Sequence, residues 1–108
     1  MLDTLISIGD TLKEIRETKG FHLQEVAEKT AINYTSLSRI ETGKRLPTKP
    51  QVQTLASFYS YSEQELIKHL ISDKILYEVQ NEDFGIEGFH LAEQKIKYGN
   101  TLFNDYEN

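Results

Sequence analysis

Residues 22–42 constrain the fold of this chain more than any other segment, because they predict two short helices joined by a tight turn. Val26 faces inward on the first helix, and Ala27 supplies the small residue that two crossing helices need. Asn33 is a good N-cap for the second helix, which spans about residues 34–42. The outward face of that second helix carries short polar side chains and one arginine.

Apolar residues that recur every three or four positions predict four further helices. The sequence places them at about residues 5–19, 49–59, 62–71 and 84–98, and glycines follow three of the six predicted helices. Residues 74–79 fit either a continuation of the fifth helix or a strand, and residues 100–108 are expected to fray. The expected fold class is therefore all-α.

The length of 108 residues fits one domain, or one small domain with an extension. A composition of 38% apolar and 27% charged residues is ordinary for a soluble globular protein. The chain has no cysteine, which excludes disulfides and thiolate metal sites. Its start lacks the features of a signal peptide, and no apolar run approaches the ~20 residues of a membrane span. We therefore expect a cytoplasmic protein with no membrane partner.

Several spaced residues give the chain a resemblance to a known family. These are Ile8-Gly9-x-x-Leu12-x-x-x-Arg16, Val26-Ala27, Leu37-Ser-Arg-Ile-Glu-x-Gly43, Pro47 and Leu55-Ala56. As a set, they resemble the phage-repressor (Cro/C1-type) helix-turn-helix family over about residues 8–71. The resemblance implies a five-helix Cro/C1-type DNA-binding domain at 1–71, followed by a C-terminal helical extension at 72–108.

The same resemblance implies which side chains touch double-stranded DNA. In that family the N-terminal end of the third helix enters the major groove, where an arginine can bond guanine in bidentate fashion. The implied base contacts are Tyr34, Thr35, Ser38 and Arg39. The implied phosphate contacts are Gln24, Asn33, Ser36, Lys44, Arg45, Thr48 and Lys49, together with backbone amides at helix starts.

Arg16 and Glu41 match a family pair that braces the first helix against the end of the third, and we interpret them as a structural ion pair. Three positions depart from the family pattern. Ala31 stands where the turn often has glycine, which is tolerable if the backbone there need not take positive φ. His22 replaces a better helix cap, and Leu23 replaces a residue that often contacts phosphate.

The net charge of −5 is unusual for a DNA-binding chain, but its distribution is uneven. Residues 1–61 hold eight Lys/Arg and seven Asp/Glu, a net of +1, whereas residues 62–108 hold four and ten, a net of −6. Residues 33–49 alone carry a net of +3. A local basic face matters more for phosphate contact than the total charge does.

The second half of the chain adds an apolar stripe to a domain that the resemblance makes complete near residue 71. Such a stripe needs another surface to pack against, and a second copy of the chain is the simplest partner. The predicted homodimer interface comprises Leu70, Ile71, Ile75, Leu76, Val79, Phe84, Phe89 and Ile96. The alternative is that the last helix folds back on its own domain.

Catalytic chemistry finds no support in the sequence. His22, His69 and His90 are widely spaced, which argues against a metal site, and Glu82-Asp83 sits at a predicted helix start, where acids favour the helix dipole. We therefore expect no enzyme activity, no cofactor and no small-molecule ligand.

Two function classes remain at this point. The first is a transcriptional regulator that binds a pseudo-palindromic operator, such as a phage-type repressor or an autoregulatory controller of a restriction–modification operon. The second is an antitoxin-like interaction module whose acidic C-terminal half binds a partner protein. Neither the operator nor the direction of regulation follows from the sequence.

Overall fold

The computed structural model describes residues 6–99, which form six helices and contain no strand. In chain order the helices are α1 (Ile8–Thr18), α2 (Leu23–Thr30), α3 (Tyr34–Glu41), α4 (Lys49–Tyr59), α5 (Glu63–Gln80) and α6 (Gly85–Lys97). The all-α prediction is confirmed for these residues. None of the described helices is long and apolar enough to cross a membrane.

Helix α1 begins at Ile8, three residues later in the chain than the sequence predicts. Ser7 is the N-cap, and its hydroxyl accepts a hydrogen bond from the Asp10 backbone N–H at 3.1 Å. This capping bond fixes the first turn of the helix after Ser7. Apolar spacing alone extended the predicted helix back to Leu5, which lies outside the described residues. The predicted stop at Gly20 is confirmed, since this residue adopts a φ of +78°.

The turn between α2 and α3 requires a left-handed residue. Ala31, the C-cap of α2, has a φ of 61° and a ψ of 16°. The condition under which alanine is tolerable here, a backbone without positive φ, is therefore not met, and Ala31 carries strain that a glycine would relieve. The Asn33 side chain then caps α3 by accepting from the Ser36 N–H at 2.8 Å.

Capping residues also define α4 and α5. Thr48 and Gln51 form the predicted capping box of α4, with side-chain to backbone distances of 3.2 and 2.9 Å. Ser62 accepts from the Glu65 N–H at 3.2 Å at the start of α5. Residues 74–79 are helical, so the strand alternative is wrong: α5 continues through them to Gln80.

A short connection, residues 81–84, joins α5 to α6. Phe84 takes a φ of 64° immediately before α6 begins. Gly85 lies so close to the Val79 carbonyl that a β-carbon there would overlap it, which explains why glycine occupies this position. Gly88, by contrast, faces open space. The predicted frayed segment, 100–108, lies outside the described residues.

The chain divides into two compact units, one ending at Lys74 and one beginning at Ile75. In the first unit, α3 packs against both α1 and α2, and α4 packs against α2. Thirteen buried apolar side chains form its core: Ile8, Leu12, Ile15, Val26, Ile32, Leu37, Ile40, Val52, Leu55, Ala56, Tyr59, Leu66 and Leu70. In the second unit, no residue of α6 is buried.

One residue of the predicted dimer interface must be reassigned. Leu70 is only 1% exposed and belongs to the core of the first unit. It lies one turn after Leu66, so the two side chains share the face that α5 buries against its own domain. Ile71, Ile75 and Leu76 remain exposed, whereas Val79 and Phe89 are half-buried.

Candidate nucleic-acid interface

The outward face of α3 forms a shallow concave surface with the loop that follows it. Tyr34, Thr35, Ser38 and Arg39 line this surface together with Thr42 and Lys44, around a volume of about 490 Å³. Leu37 and Ile40, on the opposite face of α3, are buried. All four sequence-predicted base contacts therefore lie together, held by a helix whose other face is fixed in the core.

Thr42 belongs to this concave surface but was not singled out from the sequence. It follows Thr35 by seven residues and Ser38 by four, so the helical period alone puts the three on one face. The Thr42 hydroxyl donates to the Ser38 carbonyl oxygen at 2.8 Å. The hydroxyl proton of Thr42 is therefore already bonded within the chain.

The charge of residues 33–49 is more strongly positive at the surface than the sequence count indicates. Glu41 is the one acid in this stretch, and its side chain is 7% exposed and paired with Arg16. Arg39, Lys44 and Arg45 are exposed, and the carboxylate of Glu41 is bound to Arg16, not to any of them. The cations of this segment are therefore available to an anionic ligand.

Several predicted phosphate contacts already make hydrogen bonds within the chain. The Asn33 and Thr48 side-chain oxygens cap α3 and α4, as described above. The Ser36 hydroxyl accepts from the Arg45 guanidinium at 3.3 Å. Asn33 still presents amide N–H donors, and the contact with Ser36 orders Arg45 beside α3.

The remaining predicted phosphate contacts lie at the starts of two other helices. Gln24 is exposed in the first turn of α2, and Lys49 is exposed in the first turn of α4. The backbone N–H of His22, the α2 N-cap, donates to the Glu25 carboxylate at 2.8 Å. Glu25 thereby compensates for the poor capping residue, although it also places an acid beside the start of α2.

An ion pair holds the end of α3 against α1. Arg16 Nε lies 2.9 Å from Glu41 Oε2, and Arg16 Nη2 lies 3.0 Å from Glu41 Oε1, so the contact is bidentate. A third guanidinium bond, from Nη1, reaches the Phe21 carbonyl oxygen at 2.9 Å. Hydrogen bonding to Glu41 raises the pKa of Arg16 above its ordinary value. The guanidinium therefore fixes three backbone segments at once.

Aromatic side chains support the same corner of the domain. The rings of Phe21 and Phe58 lie 4.9 Å apart, and those of Phe58 and Tyr59 lie 5.3 Å apart. Burial is the main cause that raises the pKa of Tyr59, with a smaller contribution from Glu41. Tyr59 therefore stays neutral where an exposed tyrosine ionises.

A polar helix face that stands on a packed helical core, beside exposed cations, is the arrangement of the helix-turn-helix class. Among known protein families, the one described as "Helix-turn-helix domain" matches residues 7–70, more than half of the chain. The chain therefore belongs to this family of DNA-binding domains. No curated protein matches the chain, and no solved structure matches it.

Proposed function

We propose that this protein is a transcriptional regulator that reads a pseudo-palindromic duplex operator as a homodimer. The observation that carries the proposal is the outward face of α3, where Tyr34, Thr35, Ser38 and Arg39 share one concave surface with Lys44. An α-helix such as α3 fits into the B-DNA major groove, which is about 12 Å wide. In this proposal the family's DNA-binding function acquires sequence specificity from those side chains.

The proposed division of roles follows from chemistry. Arg39 reads a base edge, because its planar guanidinium can donate two parallel hydrogen bonds to guanine O6 and N7. Tyr34 and Thr35 offer apolar contact to a thymine methyl group. Lys44 contacts phosphate, because a lysine ammonium is a compact charge suited to the DNA backbone.

The apolar surface of α5 supports the dimer. This helix carries apolar side chains on two opposite sides: Leu66 and Leu70 face the core, while Ile71 and Ile75 are 51% and 43% exposed. A helix that is apolar on two sides needs a partner for each side, and the core covers the side that carries Leu66 and Leu70. A second copy of the chain would cover the other side.

The exposed apolar side chains of α6 also support the proposed dimer. Phe84, Ile86, Leu91 and Ile96 are all exposed, and α6 buries none of its residues. A 13-residue helix is only marginally stable in water without tertiary packing. In a two-fold dimer these helices bury each other, and the two α3 helices reach successive major grooves about 34 Å apart.

Within this function, the resemblance to Cro/C1-type regulators extends the proposal to two kinds of small regulator: a phage-type repressor and an autoregulatory controller of a restriction–modification operon. Gene neighbourhood distinguishes them. Adjacent methyltransferase and nuclease genes would support the controller, and adjacent phage genes would support the repressor. A toxin gene alongside would contradict both and favour an antitoxin.

The proposal is tested by selecting random duplexes with the purified full-length chain at near-physiological salt. We expect enrichment of one two-fold-symmetric site. Arg39→Ala should lose preference at one base position in each half-site, a cost of ~1–3 kcal/mol. Absence of any enriched sequence, with the protein folded, would contradict the proposal.

A matched pair of lysine variants checks the phosphate role. Lys44→Ala should weaken binding to specific and random duplexes about equally and lower the salt slope by ~1. Lys68→Ala removes the same charge from α5, where Lys68 pairs with Glu65 at 3.1 Å, and should leave affinity nearly unchanged. Equal losses from both variants would show a nonspecific charge effect instead of a contact by Lys44.

A further inference from the structure

A carboxylate on α5 ties that helix to the beginning of α1. Asp73 Oδ2 accepts a hydrogen bond from the backbone N–H of Ile8 at 2.8 Å, across 65 residues of sequence. Ile8 is the first residue of α1, so its N–H is one of those that have no partner within the helix. The negative charge also lies at the positive end of the α1 dipole.

The position of Asp73 along α5 gives this bond its significance. Leu66, Leu70 and Asp73 follow each other at four and three residues and so share one face of the helix. The two leucines are buried in the core, and Asp73 is half-buried. The next residue on this face, Tyr77, is 63% exposed. Asp73 is thus the last half-buried residue of this face, one residue before the first unit ends at Lys74.

We infer that Asp73 is a positioning residue that fixes α5 against the start of α1 within the first unit, and that it thereby sets the half-site spacing of the operator. The inference rests on the proposed dimeric function. Leucine packing alone allows a helix to rotate or tilt by small amounts, because apolar contacts are not directional. A charge-assisted hydrogen bond to a fixed amide restricts both movements.

The consequence for DNA is geometric. In a two-fold complex, every degree of freedom between α3 and the dimer interface changes the distance between the two recognition helices. Successive major grooves on one side of the duplex repeat about every 10–10.5 base pairs. A regulator whose α5 direction is fixed accepts one spacing, whereas one with a loosened α5 accepts several.

The experiment uses the full-length chain and a duplex library with two inverted copies of the selected half-site, separated by spacers of graded length. We expect the native chain to enrich one spacing. Asp73→Ala should broaden the distribution, so that the preference for the best spacing over its neighbours falls about tenfold, while the preferred half-site sequence stays the same. Asp73→Asn keeps an oxygen acceptor and should retain most of the preference.

Ser7→Ala supplies the matched control. It removes the other hydrogen bond at the start of α1, from Asp10 N–H to Ser7 Oγ, without touching α5. It should lower thermal stability and leave the spacing preference unchanged.

The possible failures are distinguishable. If Asp73→Ala remains folded and keeps the native spacing distribution, or if Ser7→Ala broadens it equally, the inference is wrong. If the native chain enriches half-sites with no spacing preference, or enriches no sequence at all, the dimeric function itself fails.

Discussion

The two units of this chain use apolar residues in opposite ways. The unit that ends at Lys74 contains every buried apolar side chain of the described residues, and α3 is fixed within it by packing, caps and an ion pair. The unit that begins at Ile75 also carries large apolar side chains, yet α6 buries none of them. The comparison shows that the same amphipathic pattern can mark a core in one region and an exposed apolar surface in another.

Breaking the ion pair should have the largest effect on the first unit. Glu41→Ala leaves the Arg16 guanidinium, whose side chain is 13% exposed, without its carboxylate partner, and we expect unfolding free energy to fall by ~3–5 kcal/mol. Glu17, which lies 4.0 Å from Arg16 and is 59% exposed, is the control. Glu17→Ala should cost less than ~1 kcal/mol in urea denaturation. Similar losses for the two variants would contradict a bracing role for Glu41.

Replacing a glycine by alanine should lower stability in the first unit and raise it in α6. A β-carbon at Gly9 would overlap the Ile40 carbonyl oxygen where α1 crosses α3, and backbone atoms cannot easily move away. Gly9→Ala should therefore destabilise the first unit by about 3 kcal/mol. Gly88→Ala in α6 meets open space and should stabilise that helix by about 0.5–1 kcal/mol. Urea denaturation and amide exchange measure the two effects. If both substitutions changed stability in the same direction, the contrast between the two glycines would be refuted.

Relieving backbone strain should give a smaller effect. Ala31→Gly removes the β-carbon from a residue with a φ of 61°, and we expect a stability gain of about 0.5–1 kcal/mol. Ala92→Gly should instead lower stability, because Ala92 lies in the interior of α6, where the backbone is helical. Melting temperatures of the two variants that shift in the same direction would count against strain at Ala31.

The smallest effect should appear only at alkaline pH. Because the pKa of Tyr59 is raised in the folded state, its contribution to stability is present below pH ~10 and is lost as the pH rises above that value. Tyr59→Phe should therefore reduce the fall in unfolding free energy between about pH 9 and pH 11. Tyr61→Phe, at an exposed tyrosine, is the matched control, and equal slopes for the two variants would contradict burial as the cause.

Much of the fold could be predicted from sequence because it depends on local signals. Leu23 through Thr30 and Lys49 through Tyr59 both carry apolar spacing, and Thr48 adds a good cap to the second. Both helices have the predicted bounds. The four residues predicted to contact bases lie on one surface because the helical period dictates it. These features need only neighbours in the chain.

Other features depend on contacts between distant residues, and no local pattern encodes them. The positive φ at Ala31 follows from the angle that the α2–α3 turn must make. Leu70 and Ile71 are adjacent and equally apolar, yet only the packing of α5 decides that one is buried. The bond from Ile8 to Asp73 joins residues 65 positions apart.

Amide hydrogen exchange of the full-length chain at low and high protein concentration tests the contrast between the two units most directly. The amides of α1 to α4 should show the same protection at both concentrations, since their core lies within one chain. Protection of α6 should rise with concentration, because the proposed dimer would bury it. Protection of α6 that is strong and independent of concentration would contradict the dimer and show that a single chain covers this helix.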